Sequence, residues 1–583
     1  MCYNKKKTQG VAFVRLQIVK SKNAESFYVI KSLYVSKKNT TRVVEKLGTR
    51  AELEKKLNGA DPILWAKKYI AELNRLEKEK KLDIVIKYSQ NQIIEKDEKR
   101  LFNCGYLFLQ KIYNELKLPI ICKEIGKKYK YDFDMNSILS RLVYGRIIFP
   151  RSKHATCELS KKFIEQPNFE LHQIYKALEI IAKETDFIQS KLYKNKVDLT
   201  GKKSQILYYD CTNYFFEIEE EEGLKQYGYS KDHKPNPIVQ MGLFMDGDGM
   251  PLAFNINAGN TNEQITLRPL ERQILRDFEL GRFVVCTDAG LSSIDNRKFN
   301  NVQGRKFITT QSVKKLKKHD EKWALDNKNW RIFGDNNSYD ISNIDEDKHI
   351  NTTFYKETWI NDDEIEQRLI VTYSVKYKNY QRNIRNSQID RAMEAIIKSK
   401  GKLSKATQND YKRFIVKMNC TQNGEVAENE IFNINEEKIK QEEKFDGFYG
   451  VCTNLEDEIS SIIEVNSRRW EIEESFRIMK SEFKSRPVYL KRDDRIKAHF
   501  TTCFISLMLF RLLEKRLDSK YTAHEIISTL REMNLLATKN GDYIPAYTRT
   551  DLTDDLHDIF EFRTDFQIIP RAHMKNILSA TKK

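Results

Sequence analysis

The feature that most constrains this chain is a change of texture at Ser204. Upstream, from Leu101 to about Lys194, apolar residues recur at helical spacing, broken by the loop IIFPRSKHAT at 147–156. Downstream come short apolar runs separated by turns. SQILYYD (204–210) reads as a strand ending on an acid, and IVQMGLFMD (238–246), GDGMP (247–251) and LAFNINA (252–258) read as a hairpin. GNTNEQITLRPLERQIL (259–275) opens on a polar cap and continues as a helix. FVVCTDAG (283–290) is a buried-type strand ending on a second acid, and KFITTQ (306–311) is a further strand. Elements in that order describe a mixed α/β sheet.

The flanks are plainer. Residues 11–48 alternate apolar and polar positions, as in VAFVRLQIV and SFYVIKSLYV, and predict a small antiparallel sheet; 60–84 has helical spacing and charge. Residues 312–445 interrupt the sheet with polar, β-leaning segments (WRIFGD, TFYKETWI, QRLIVTYSV) and a basic helix-like stretch. FYGVCTNL (448–455) returns to a strand, ISSIIEVNSRRWEIEESFRIMKSEF (459–483) reads as one long helix, and the chain from about Ala498 is mostly helical.

Composition bounds the function. At 583 residues the chain suggests three to five domains, and 40% hydrophobic with 11% aromatic residues is enough to bury real cores, which excludes wholesale disorder. The longest strongly apolar stretch, Phe500 to Phe510, is about half of the ~20 residues that cross a bilayer. No apolar run follows the basic N-terminus, so neither membrane nor secretion is expected and the expectation is a cytoplasmic protein. Nine cysteines without a C-x-x-C pair indicate neither a zinc knuckle nor a disulfide framework.

The formal net charge is +18, unevenly placed. Residues 1–50 hold 12 Lys/Arg against Glu25 and Glu45. Residues 376–405, which include Arg382 and Arg385, hold nine bases against two acids. Residues 480–497, which include Lys491 and Arg492, hold seven against three. Three basic segments far apart in sequence suit a long polyanion, because each neutralised phosphate releases counterions. A lysine-rich solvated surface would look similar segment by segment.

Within this basic chain three acids stand out. Asp210 and Asp288 each follow an apolar strand-like run, where functional groups of open α/β sheets gather; taken singly, each reads equally as a turn former. Glu473 lies in a helix with Arg469 and Lys480. At about 100° per residue these three fall near 0°, about 40° and about 20°, one polar stripe beside a core-facing stripe of Ile472, Phe476 and Met479. Ordinary Arg–Glu helix pairing gives the same spacing. Three carboxylates without a Cys or His cluster are hard oxygen donors suited to Mg²⁺ or Mn²⁺. Two such ions about 4 Å apart can clamp the attacking and leaving oxygens of a phosphodiester.

On these residues the sequence resembles the DDE transposases of bacterial insertion sequences, in the insertion-sequence-four superfamily. The resemblance is carried by YYDCTNYFFE around Asp210, by GYSKDHKPNPIVQMGLFMDGDGMPLAFNINAGNTNE (228–263), by VVCTDAGLSS around Asp288 and by RRWEIEESFRIMKSEFKSRPVYLKRDDRIKAH (468–499). That family's Tyr-Arg-Glu-Lys signature is met here by Arg469, Glu473 and Lys480, while its Tyr place holds Asn466. What the resemblance implies is an α/β fold: a ribonuclease-H-like mixed-sheet core at 201–311 and 446–497, interrupted by a β-rich insertion domain at 312–445. A small β region (1–56), a helical DNA-binding or dimerising region (57–200) and a helical C-terminal region (498–583) complete the expected organisation.

The resemblance further implies Asp210, Asp288 and Glu473 as the catalytic triad holding two Mg²⁺ or Mn²⁺ ions. Hydrolysis at terminal inverted repeats would free 3′-OH groups, which then attack target DNA; no P-loop or dinucleotide fingerprint argues otherwise. Arg469, Lys480, Lys231, His233, Lys234, Arg382, Arg385, Lys491 and Arg492 are the expected DNA contacts. Trp323, Trp330 and Trp359 are the candidates for stacking a splayed base. Expected partners are double-stranded DNA and a second copy of the chain, in a bacterial cytoplasm at the nucleoid. The competing readings are a nuclease of the same fold without strand transfer, and a catalytically silent DNA-binding relative.

Overall fold

In the computed structural model the chain divides into two compact units, Met1–Glu98 and Lys99–Lys583. The structure describes residues 14–21, 24–35, 38–57, 61–80, 84, 86, 88–203, 205–302, 304–398, 410–420 and 426–583. Cys2, Lys5–Lys7 and the end of the second basic segment, 399–405, lie outside the described residues.

In the first unit, β1 (Val14–Lys20), β2 (Glu25–Val35) and β3 (Lys38–Thr49) form the expected antiparallel sheet. Thr49 closes a reciprocal capping box with Glu52 at the start of α1 (Arg50–Lys56). Helix α2 (Pro62–Lys80) lays Ala66 and Ile70 against Phe27, Val14 and Val29. This packing puts α2 with the sheet, so the observed boundary falls near residue 98 and not at 56/57.

The second unit begins with β4 (Leu101–Asn103), α3 (Tyr106–Glu115), α4 (Leu118–Gly126), α5 (Met135–Ile148), α6 (Lys153–Ser160), α7 (Leu171–Lys183) and α8 (Thr185–Thr200). Then come β5 (Ile206–Phe215), β6 (Ile238–Asp246), β7 (Pro251–Ala258), α9 (Glu263–Asp277), β8 (Phe283–Thr287), α10 (Ile294–Phe299) and β9 (Arg305–Gln311). The intervening segment supplies α11 (Lys318–Leu325), β10 (Arg331–Ile332), β11 (Thr353–Asp362), β12 (Ile365–Ser374), α12 (Val375–Lys398), β13 (Ile415–Cys420), β14 (Val426–Ile434) and α13 (Glu436–Glu443). It closes with β15 (Phe448–Thr453), α14 (Ile459–Ser467), α15 (Trp470–Ser481), α16 (Asp493–Arg516), α17 (Ala523–Glu532), β16 (Asn534–Ala537), β17 (Tyr543–Pro545), α18 (Asp551–Phe560) and α19 (Arg571–Ala580).

One nine-stranded sheet organises the unit, in the order β10-β11-β12-β15-β9-β8-β5-β6-β7. β5, β8 and β9 run parallel to one another, and all other neighbours are antiparallel. The chain is therefore a mixed α/β protein with a large mixed sheet. The expectation of a separate β-rich domain at 312–445 needs correction. β12 pairs with β15 from Arg368–Thr453 to Tyr373–Phe448, so the intervening strands extend the main sheet, and only β13 and β14 form a sheet apart.

Strand alternation gives the sheet two apolar faces. Leu207, Tyr209 and Cys211 of β5 and Val285 of β8 pack under α9 through Leu267, Leu270 and Ile274. Their neighbours Tyr208, Tyr214 and Cys286 face the other way, into a continuous core shared with α3–α8 and α14–α19. Helix α16 is long and apolar enough to cross a bilayer, but it is buried as the central helix of this layer, against α3, α5 and α7. β16 pairs with β4, and Gly105 packs so close to α17 that a Cβ would lie 2.1 Å from the Leu530 carbonyl oxygen. The helical regions expected at 57–200 and 498–583 thus share one core from residue 99 onward. Cys104, Cys122, Cys157, Cys211, Cys286, Cys452 and Cys503 are buried free thiols.

The β6–β7 hairpin turns as expected, and Asp246 holds it. Its Oδ1 accepts from the Asp248 and Met250 amides at 2.9 and 3.0 Å, and its Oδ2 from Lys196 Nζ at 2.5 Å. Both side chains of this pair are 3% exposed. Removing one member of a buried pair strands the other charge. Asp246→Ala is expected to destabilise the protein by about 3–5 kcal/mol, measured as a loss of thermal stability against the parent.

Candidate active site

Strand β5 does not stop at Asp210, as the sequence suggested, but continues to Phe215. The acid is therefore an interior strand residue, alternating with Tyr208 and Tyr214 on the face that carries α14 and α15. The parallel register Ile206–Val284, Leu207–Val285, Tyr208–Cys286 carries Asp210 level with Asp288, one residue beyond the end of β8. Adjacent strands lie ~4.8 Å apart, so both carboxyls emerge side by side from one face.

Each carboxylate is half committed. Asp210 Oδ1 accepts from the Cys211 amide at 2.7 Å, and Asp288 Oδ1 accepts from the Leu291 amide at 3.0 Å. Among the described residues neither Oδ2 accepts a hydrogen bond from the protein. Burial pushes the Asp210 carboxyl up to about 7, with the Asp288 charge adding to the rise and Lys231 and Arg469 opposing it. Two level carboxylates with free oxygens and no sulfur or imidazole donor beside them fit a hard divalent cation.

Three cations flank the pair. Lys231 Nζ donates to the Cys211 carbonyl at 2.5 Å and lies 3.2 Å from Glu263 Oε1. Burial alone would lower its pKa, but the Asp210 and Glu263 charges hold it above the ordinary lysine value. Lys480 sits 5.5 Å from the centre of the Tyr214 ring and 3.8 Å from Asp232 Oδ2, and burial holds its pKa below the ordinary value. Asp232 also pairs with Arg486.

Arg469 precedes α15 because the expected single helix breaks there. α14 ends at Ser467, Arg469 keeps helical angles as the cap residue, and α15 starts at Trp470. Its Nη1 donates to Thr310 Oγ1 at 2.8 Å; Thr310 shares a 2.8 Å contact with the Tyr449 hydroxyl, which accepts from Asn466 Nδ2 at 3.0 Å. A tyrosine hydroxyl from β15 therefore stands beside position 466, where the signature's own Tyr is missing.

Ile472, Phe476 and Met479 are buried, so α15 turns its apolar stripe inward as the spacing required. Glu473 lies on the adjoining stripe with Lys480; it is exposed, with no ion pair within 4 Å among the described residues. Tyr208 Oη donates to the Val465 carbonyl and Tyr214 Oη contacts Met479 Sδ, so α14 and α15 run alongside β5 across the level of Asp210.

Other expected residues separate. His233 and Lys234 are exposed on the loop after β5, His233 with φ 53°. Arg382 and Lys491 are exposed. Arg385 is not a DNA contact: it is 5% exposed and forks both carboxylate oxygens of Asp446 at 2.7 Å, a strut between α12 and the approach to β15. Arg492 is engaged by Asp494 and Glu179. Trp330 is fully buried, its indole donating to the Asp326 carbonyl at 2.9 Å, so the stacking role expected of it is withdrawn. Trp323 and the half-exposed Trp359 line one open pocket of about 670 Å³. Glu263, Thr310 and Tyr449 were missed, because only folding brings them to the acids; Glu263 alone left a trace, inside the GNTNE segment read as a helix cap.

Burial of Asp210 makes the stability of the protein depend on pH. An acid whose folded pKa lies above its unfolded value costs no stability near pH 4 and an increasing amount as pH rises toward about 7. In a chelating buffer, Asp210→Asn is expected to melt higher than the parent at pH 8, by roughly 1–4 kcal/mol of stability, with the gap shrinking as pH falls and closing near pH 4. Thermal denaturation at both pH values measures it.

No curated protein resembles the sequence closely enough to count as a relative. Among solved structures, the chain is similar to a piggyBac transposase in a synaptic complex with hairpin DNA, at 9% identity, a TM-score of 0.33, and coverage of 82% of this chain and 84% of that one. Residues 214–509, just over half of the chain, match the family described as the transposase DDE domain. The match opens four residues after Asp210 and includes Asp288 and Glu473. The chain belongs to the DDE transposase family, whose members are metal-dependent phosphoryltransferases acting in DNA transposition.

Proposed function

We propose that this transposase cleaves DNA at the terminal inverted repeats of a bacterial insertion sequence and joins the freed 3′ ends to target DNA. The observation that carries the reading is the level placement of Asp210 on β5 and Asp288 just past the end of the parallel β8, on the face of the sheet that carries α15 with Glu473 and Lys480. Strands β7-β6-β5-β8-β9, with β5, β8 and β9 parallel and β6 and β7 antiparallel, support a ribonuclease-H-like core.

Asp210, Asp288 and Glu473 would hold two Mg²⁺ or Mn²⁺ ions. Bound there, the ions would supply charge stabilisation to the attacking and leaving oxygens of an in-line displacement. The chain's own residues orient the DNA. Arg469, fixed by Thr310, offers its remaining guanidinium donors to a phosphate near the scissile bond, and Lys480 adds a point charge. Lys231 lies between Asp210 and Glu263 and balances the carboxylates until DNA and metal enter. His233, Lys234, Arg382 and Lys491 extend the contact along the backbone, with Arg492 available at the cost of its ion pairs. Trp323 and Trp359 offer faces for a splayed base. Joining two ends in one event calls for a dimer, and the setting is the bacterial nucleoid.

In a Mn²⁺-dependent assay on DNA carrying the element's ends, Asp288→Ala and Glu473→Gln are each expected to lower cleavage at least about a hundredfold while end binding persists. Unchanged cleavage by either variant removes that residue from the triad. A parent protein that cuts but never joins 3′ ends to target DNA would reduce the function to a nuclease.

A further inference from the structure

A second cavity lies outside the carboxylate site. It holds about 470 Å³ between the α5–α6 corner and the segment 484–490, and its charged lining is all basic: Arg146, Arg151, Lys153, Lys484 and Arg486, with His499 behind them. No carboxylate pairs with Arg146, Arg151, Lys153 or Lys484 among the described residues, and Arg486 alone is paired, to Asp232.

The depth of two of these cations is the informative fact. Lys153 is 5% exposed and lines the cavity, and its ammonium makes no hydrogen bond or ion pair among the described residues. Arg146 is 6% exposed; its donors reach only carbonyls, of Phe483 at 3.1 Å, Arg151 at 3.3 Å and Lys484 at 3.5 Å, and its Nε is buried without a partner. Burial, with Arg146 alongside, pushes the Lys153 ammonium down to about 7. His499 is held neutral by the same surroundings and donates to the Ser485 carbonyl at 3.2 Å.

Local packing enforces this crowding. Gly145 lets α6 approach so closely that a Cβ there would meet Thr156 Cγ2 at 2.9 Å. Ser152 caps α6 through the Ala155 amide, which turns the positive end of the helix toward the same space. An unpaired buried ammonium beside a buried guanidinium costs folding free energy, and an anion seated between them would offset it.

Position names the anion's bearer. The Val488 amide donates to the Phe215 carbonyl at 3.0 Å, which fastens the cavity wall to the end of β5, five residues and about 16 Å along the strand from Asp210. Lys480 and Arg486, joined through Asp232, bridge the interval. We infer that this cavity is a phosphate pocket, which seats one backbone phosphate of the DNA strand engaged at the carboxylate site and fixes that strand's register. The identity of the bearer rests on the transposase reading; the pocket's affinity for phosphate does not.

The full-length protein tests this in two arms. With inorganic phosphate as probe, the melting temperature of the parent is expected to rise with concentration, while Lys153→Met, which melts higher than the parent without phosphate, shows no phosphate-dependent rise. With labelled duplex DNA, Lys153→Met is expected to bind about tenfold more weakly and to lose about one from the slope of log affinity against log salt. Arg151→Gln, on the exposed rim, is expected to weaken both responses without changing the fold, and covers the case in which Lys153→Met does not fold. Equal phosphate shifts in parent and variants overturn the pocket, and unchanged DNA affinity and salt slope overturn DNA as its occupant. A Lys153-dependent phosphate shift in a protein that binds no DNA keeps the pocket, overturns DNA as the bearer, and counts against the proposed function instead.

Discussion

The parallel pairing of β5 with β8 is the constraint on which the rest of the site depends. It sets two carboxylates level, about one interstrand spacing apart, on a face whose neighbouring residues are buried. Burial strips hydration from Asp210 and the Asp288 charge adds to the effect, which is why Asp210 is pushed up to about 7. Much of the surrounding chemistry answers that strain. Lys231 is drawn in between Asp210 and Glu263, Arg469 is set through Thr310 and Tyr449, and a divalent cation relieves the pair most directly.

The positive charge of the chain divides into two populations that composition merges. Arg385, held by Asp446, and Lys196, held by Asp246, are cations consumed by the fold. Arg146 and Lys153 are cations the fold leaves unmatched, and they gather beside the strand that carries Asp210. A net charge of +18 says that bases outnumber acids; only the pairing shows which of them remain open to a phosphate.

The sheet also explains how a long segment can be inserted between Asp288 and Glu473 without loosening the site. β12 zips onto β15, and β15 onto β9, so the added strands stiffen the edge next to β9. Trp330, Phe354, Leu369 and Cys452 form a core of their own on that extension. Trp330 belongs to it, which is why one of three similar-looking tryptophans is structural while Trp323 and Trp359 border open space.

The sequence by itself determined the elements: the strand-like runs at 206–210 and 283–287, the hairpin at 238–258, the amphipathic stripe of α15 and the two strand-borne acids. These are legible because local alternation and helical period record which face is buried. The end of β5, the break at Arg469, the union of the 312–445 strands with the main sheet and the fate of Arg385 and Trp330 were decided only by tertiary structure. Each depends on a partner distant in sequence: β6 for β5, Thr310 for Arg469, β15 for β12, Asp446 for Arg385. Pairing partners and burial are properties of the assembled sheet, and no local pattern encodes them.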